Sequence, residues 1–312
     1  MPFGAILPAA AIALLLAALA ALAAGCGAGL ATTGPHRPGT IQAVAAENQY
    51  ADVVAQVGGR YVSVGAVEKD PASDPHSFGA SPSVARALAG ARVVVQNGLG
   101  YDSFMERIEN ATPSSARTVI DVAEMLHLPD STANPHLWYS PSTMPALAGR
   151  LADVLGRLQP AHRAYFRARA RAFVSSLDPW RSGLARLARR FAGAPVASTE
   201  PLADYMLAAA GLRNLTPAAL QMDVMDGIDP SPQSVSAQQG LLSGRRVRAF
   251  VYNRQVTDTL TERFREQARD AGVPVVAAYE TMPPGYHYQS WMLAELTALR
   301  RALAEGRSTP RL

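Results

Sequence analysis

Cysteine is nearly absent from this chain: Cys26 is the only one in 312 residues. A lone thiol cannot close a disulfide within the chain or build a thiolate metal site, so any metal must be held by His, Asp or Glu. Charge is sparse at 17%, and aromatic residues make up only 7%. Hydrophobic residues reach 48%, which excludes a disordered chain and allows a real core. No second long apolar run follows Cys26, so the body of the chain is expected to fold in water. No His-Glu-x-x-His pair occurs, which removes the commonest helical signature of a zinc hydrolase.

What is present begins before Cys26. An uninterrupted apolar stretch from Ala5 leads to Ala23-Ala24-Gly25, and Gly27-Ala28-Gly29 follows the thiol. That is the order of a bacterial lipoprotein signal: an export segment, small residues for cleavage, then a cysteine that takes lipid. Met1-Pro2-Phe3-Gly4 carries no Lys or Arg, and Ala23 stands where such signals usually have Leu. A retained membrane anchor is therefore the alternative, since the run is about long enough to span a bilayer. On the first reading residues 1–25 are a signal peptide, Cys26 is lipidated, and residues 26–40, rich in Gly, Pro and Thr, form a tether.

From Ile41 short apolar runs alternate with amphipathic helical stretches. Strands are expected at 41–45, 61–67, 91–96, 118–120, 196–198, 247–252 and 275–278. Helices are expected at 49–57, 83–88, 101–109, 143–159, 203–210, 234–243, 257–271 and 288–305. This alternation predicts an α/β protein with mainly parallel sheets flanked by helices. A long helical stretch separates the strands into two groups, giving an N-terminal lobe (41–159), a connector (160–191), a C-terminal lobe (192–306) and a tail (307–312). Ala161, Tyr165, Ala168, Ala172, Phe173, Leu177, Leu184, Leu187 and Phe191 are the connector's expected buried stripe. Pro179 either kinks one helix or starts a second one capped by Asp178. The formal net charge of +4 is mostly arginine, and Arg163, Arg167, Arg169, Arg171, Arg181, Arg186, Arg189 and Arg190 crowd the connector. They read as a solvated face; without interleaved aromatics they do not read as a nucleic-acid surface.

Two loops repeat one device. His76 lies in Asp74-Pro75-His76-Ser77-Phe78 and His136 in Asn134-Pro135-His136-Leu137-Trp138. Proline fixes the backbone before each imidazole, and an aromatic follows two residues later. Strand ends are where α/β proteins place ligands. In the second lobe Glu200 follows one expected strand and Glu280 another; singly, each reads as an ordinary helix-end or solvated loop acid. Together the four side chains offer two nitrogen and two anionic oxygen donors, a set that suits a divalent ion without sulfur. His287, near Glu280, is a reserve ligand. His127 reads as a lone loop histidine, and His36 and His162 read as solvated.

The ordered series resembles the metal-binding lipoproteins of bacterial ABC importers, the cluster A-I family that carries zinc and manganese. Asp74–Phe78 followed by Ser81-Pro82-Ser83 resembles that family's first ligand loop. Val95-Gln96-Asn97-Gly98-Leu99-Gly100-Tyr101 is similar to its next strand and turn. Asn134–Trp138 resembles the second ligand motif, with Asn134 where Asp is usual. Thr199-Glu200-Pro201-Leu202-Ala203-Asp204-Tyr205 resembles the third, Asp229-Pro230-Ser231-Pro232 a landmark of the second lobe, and Glu280 falls where a fourth carboxylate, more often Asp, is found. The resemblance implies two α/β lobes joined by one long helix, with Zn2+ or Mn2+ held between them as cargo, one ion per chain, by His76, His136, Glu200 and Glu280. It implies small closure motions and release through rearrangement of the second lobe. It also implies an extracytoplasmic, lipid-anchored monomer that is not an enzyme and whose partner is a membrane permease. A surface adhesin with a structural metal, or an exported metallohydrolase, are the alternatives from other classes.

Overall fold

The short runs of Val, Ile and Ala become eight strands in a computed structural model that describes residues 39–69 and 82–312. The expected signal segment, Cys26, His36 and His76 lie outside the described residues. In the first lobe β1 (Ile41–Glu47), β2 (Val62–Glu68), β3 (Val93–Gln96) and β4 (Thr118–Asp121) form one sheet. Its helices are α1 (Asn48–Gly58), α2 (Pro82–Gly90), α3 (Ser103–Ala111), α4 (Val122–Met125) and α5 (Thr143–Leu158). In the second lobe β5 (Pro195–Ser198), β6 (Arg213–Asn214), β7 (Phe250–Asn253) and β8 (Val275–Ala278) form another. Its helices are α8 (Asp204–Ala209), α9 (Ala218–Met225), α10 (Pro232–Ser243), α11 (Thr259–Asp270) and α12 (Tyr288–Glu305), with α6 (Arg163–Ser176) and α7 (Asp178–Phe191) between the lobes.

Every strand pairing is parallel, and both sheets have the same order, β2-β1-β3-β4 and β6-β5-β7-β8. Such sheets need cover on both faces, and β3, β7 and β8 are accordingly buried at every residue. In each sheet the first strand sends its successors to opposite sides, which opens a crevice at the carboxyl ends beside β1 and β5. Ser308 and Thr309 of the terminal segment pair with β8, so that sheet gains an edge bridge between Val276 and Thr309.

One apolar core runs through both lobes and the connector. It includes Val93, Trp138 and Leu147 from the first, Trp180 from α7, and Val196, Trp291 and Leu299 from the second. A separate cluster around Phe250, Phe264 and Leu242 fills the outer side of the second sheet. The connector buries Phe166, Ala170, Phe173, Leu177, Trp180, Leu184, Leu187 and Phe191. Ala161, Ala168 and Ala172, expected in that stripe, are exposed, and all eight connector arginines are exposed with them. The break falls at Leu177, where the Leu177 amide bonds the Val174 carbonyl in a tighter turn. Pro179 has no N–H to offer the carbonyl four residues earlier, so the ladder restarts at Asp178. Among the described residues no helix is long and apolar enough to cross a membrane.

Candidate metal centre

His136 sits on the loop before a short 3-10 turn, Leu137–Tyr139, and is fully buried. Its Nδ1 lies 2.8 Å from Asn134 Oδ1, which also accepts the His136 backbone N–H at 3.0 Å. Asn134 Nδ2 donates to the Pro201 carbonyl at 2.8 Å, and the Tyr205 hydroxyl donates to the Asn134 carbonyl at 2.8 Å. With its amide nitrogen committed to Pro201, Asn134 must turn its oxygen to the ring. The proton then belongs on Nδ1, and the Nε2 lone pair is presented to the cleft. Tyr101 and Trp138 meet the ring edge-on, with centroids at 5.7 and 5.3 Å.

Nε2 faces Glu280 Oε2 at 3.7 Å, and both side chains are completely buried. Two donors each about 2.1 Å from one tetrahedral ion stand about 3.4 Å apart, so the pair already has close to the separation that a shared ion requires. Glu280 is therefore no solvated loop acid. It follows β8 and is held on every polar atom. The Tyr101 hydroxyl donates to Oε2 at 2.7 Å, and Asn253 Nδ2 donates to Oε1 at 2.6 Å. Its backbone N–H donates to Gln255 Oε1 at 2.7 Å, and its carbonyl accepts from Gln49 Nε2 at 3.1 Å.

Glu200 is buried after β5, where the Ser198 hydroxyl donates to its carbonyl at 2.9 Å; the following helix begins only at Asp204. Burial pushes the Tyr101 phenol well above its ordinary value, and the charges of Glu280, Glu47 and Glu200 add to the push. Asp204 is raised by burial, against donors from Asn214 and Gln221. Among the described residues no three His, Cys, Asp or Glu side chains are grouped closely enough to hold a metal; His136 and Glu280 stand as a pair.

The other histidines lie elsewhere. His287, the reserve ligand, is 69% exposed and pairs with Asp52 at 2.7 Å at the start of α12. His127 has a left-handed backbone (φ 55°) and lines a 380 Å³ surface cavity with Asp121, Glu124 and Arg150. His162 stacks on Tyr61 with centroids 3.8 Å apart. Sequence reasoning missed Tyr101, Asn253, Gln255 and Gln49 as supports of Glu280. The Gly98-Leu99-Gly100-Tyr101 turn was the one available signal; nothing marks an Asn or Gln at a strand end as a carboxylate holder.

Residues 43–302 match the family described as ZnuA, zinc-uptake complex component A, periplasmic. The manganese-binding lipoprotein MntA of Bacillus subtilis is 26% identical over 176 residues, 54% of this chain and 57% of that protein. The matched stretch spans 57–61% of the length of the curated relatives. The periplasmic zinc-binding protein TroA of Treponema pallidum superposes with a TM-score of 0.71 at 17% identity, covering 86% of this chain and 100% of that one. A mutant of the laminin-binding adhesin Lmb of Streptococcus agalactiae superposes at 0.70 and 19%, covering 84% and 99%. These two likenesses establish a shared fold.

Proposed function

We propose that this chain, which belongs to the zinc-uptake complex component A family, is an extracytoplasmic solute-binding protein that captures a divalent transition metal between its lobes and delivers it to the permease of an ABC importer. The observation that carries the reading is the buried His136–Glu280 pair, one donor from each lobe, 3.7 Å apart. His76 and Glu200 complete the proposed donor set, two imidazoles and two carboxylates for one Zn2+ or Mn2+ per chain. Asn134 serves His136 as Asp would, by accepting from Nδ1, but without a charge. At equal geometry such a set favours zinc, while a carboxylate gripping through both oxygens raises the coordination number toward the preference of manganese. Cys26 is the proposed lipid attachment, which keeps a monomeric carrier at the membrane beside its permease.

Calorimetric titration of the metal-stripped chain with zinc and with manganese tests the reading. One tight site per chain is expected, abolished by His136→Ala and by Glu280→Ala with circular dichroism unchanged. A chain that binds neither ion tightly would overturn it and return the adhesin reading. Cys26→Ser should move the protein out of the membrane fraction; unchanged membrane association would favour a retained anchor.

A further inference from the structure

The loop that carries Glu280 is fastened from the opposite lobe. Asn48, the first residue of α1, donates through Nδ2 to the Met282 carbonyl at 2.8 Å and accepts the Met282 backbone N–H on Oδ1 at 2.9 Å. One side-chain amide thus makes both bonds that a neighbouring strand would make to that residue. Beside it Gln49, fully buried, donates to the Glu280 carbonyl. From its own lobe the loop is held by Gln255, whose Oε1 accepts the N–H groups of Glu280 and Thr281 at 2.7 and 2.8 Å.

We infer that Asn48 and Gln49 are positioning residues that pin the Glu280 loop to the first lobe and thereby set how slowly the bound metal leaves. The inference rests on Glu280 being a metal ligand, as proposed above. The carboxylate leaves the ion when its loop moves, and to leave the first lobe the loop must break the three hydrogen bonds made by Asn48 and Gln49 as well as those of Tyr101 and Tyr139. Opening the loop breaks the Asn48 and Gln49 bonds on the way out and on the way in, so their loss speeds escape and capture alike. Only an amide of this length supplies the donor and the acceptor together: aspartate keeps the acceptor and loses the donor, and alanine loses both.

Stopped-flow release of zinc from the full chain in detergent, chased with excess EDTA, is the test. Asn48→Ala is expected to release zinc about 10- to 100-fold faster, since each lost bond is worth up to roughly tenfold. Asn48→Asp should fall between Asn48→Ala and the unmodified chain, and Gln49→Ala should accelerate release as well. Association should quicken by a similar factor, so that affinity changes little, because release and capture pass through the same opened loop. A merely structural role would lower thermal stability without ordering release as alanine, aspartate, asparagine. If Asn48→Ala does not fold, Asn48→Asp and Gln49→Ala decide. Release unchanged in the folded variants would overturn this inference and leave the metal site standing, whereas an unmodified chain that binds no zinc would overturn the site and the inference together.

Discussion

Asn134 does with a neutral amide what a carboxylate would do with a charge. It orients His136 by accepting from Nδ1, and it spends its own nitrogen on Pro201 of the second lobe. Removing such an outer partner typically costs 10- to 100-fold in metal affinity. Asn134→Ala should therefore weaken zinc binding by about that factor, measured by competition with a chromophoric chelator. Unaltered affinity would mean that Tyr101 and Trp138 orient the ring by packing alone. The two candidate ligands that the structure brings together, His136 and Glu280, could be singled out in the sequence because a metal donor has to be one of a few chemical types and strand ends are where such folds place ligands. Their supports could not be: Asn253, Gln255 and Gln49 act through distances that only the folded chain creates, and each is an ordinary amide in its own neighbourhood.

Elements were legible where apolar periodicity spoke for one face. Strand β8 and helix α12 have the bounds that their patterns predict, Val275–Ala278 and Tyr288–Glu305. Strand β6 was invisible because its two residues, Arg213 and Asn214, are polar and it exists only by pairing with β5. Helix α9 carries apolar residues around much of its circumference, so no stripe announced it. In α6 alanine lies on both faces, and the aromatic residues, Phe166 and Phe173, were the better guide to the buried one. Close approach between elements is equally unreadable from sequence. Gly58 ends α1 where a Cβ would lie 2.4 Å from Val62 Cβ at the start of β2. Gly149, by contrast, sits exposed within α5 with nothing within 4 Å of a Cβ. Gly58→Ala should destabilise by roughly 1–3 kcal/mol, since the strand start must shift. Gly149→Ala should stabilise by about 0.5–1 kcal/mol through helix propensity. Urea unfolding of the two variants measures both, and effects of the same sign would contradict the packing described.

At the scale of the whole molecule the lobes are joined by a continuous core and by buried polar contacts, of which Glu295 is the most exacting. Its Oε2 lies 2.7 Å from the Tyr139 hydroxyl of the first lobe, and its Oε1 accepts from Trp291 Nε1 at 2.8 Å. The Tyr139 oxygen also lies 2.8 Å from the Tyr279 carbonyl. A hydroxyl has one proton and cannot serve two acceptors. The conflict vanishes if Glu295 is protonated, so that it donates to Tyr139 while Tyr139 donates to Tyr279. Burial supplies the reason for protonation: it lifts the Glu295 carboxyl from 4.5 to about 8, against the donors of Tyr139 and Trp291. Asp102 is raised by burial to about 7, against the N–H groups of Asn97 and Gly98. The folded chain therefore keeps protons that the unfolded chain has released once the pH passes 4.5. Stability falls as pH rises from there toward 8, and the loss from Glu295 is complete above its folded value, amounting to a few kcal/mol by order of magnitude. Glutamine at this position can donate to Tyr139 and accept from Trp291 without ever ionising. Glu295→Gln should thus leave the melting temperature near pH 5 little changed and flatten its decline between pH 5 and 8. The remaining slope belongs to groups such as Asp102. Parallel melting profiles for the two proteins across that range would mean that Glu295 is already ionised in the folded chain, and that the contact between the lobes is made by a carboxylate after all.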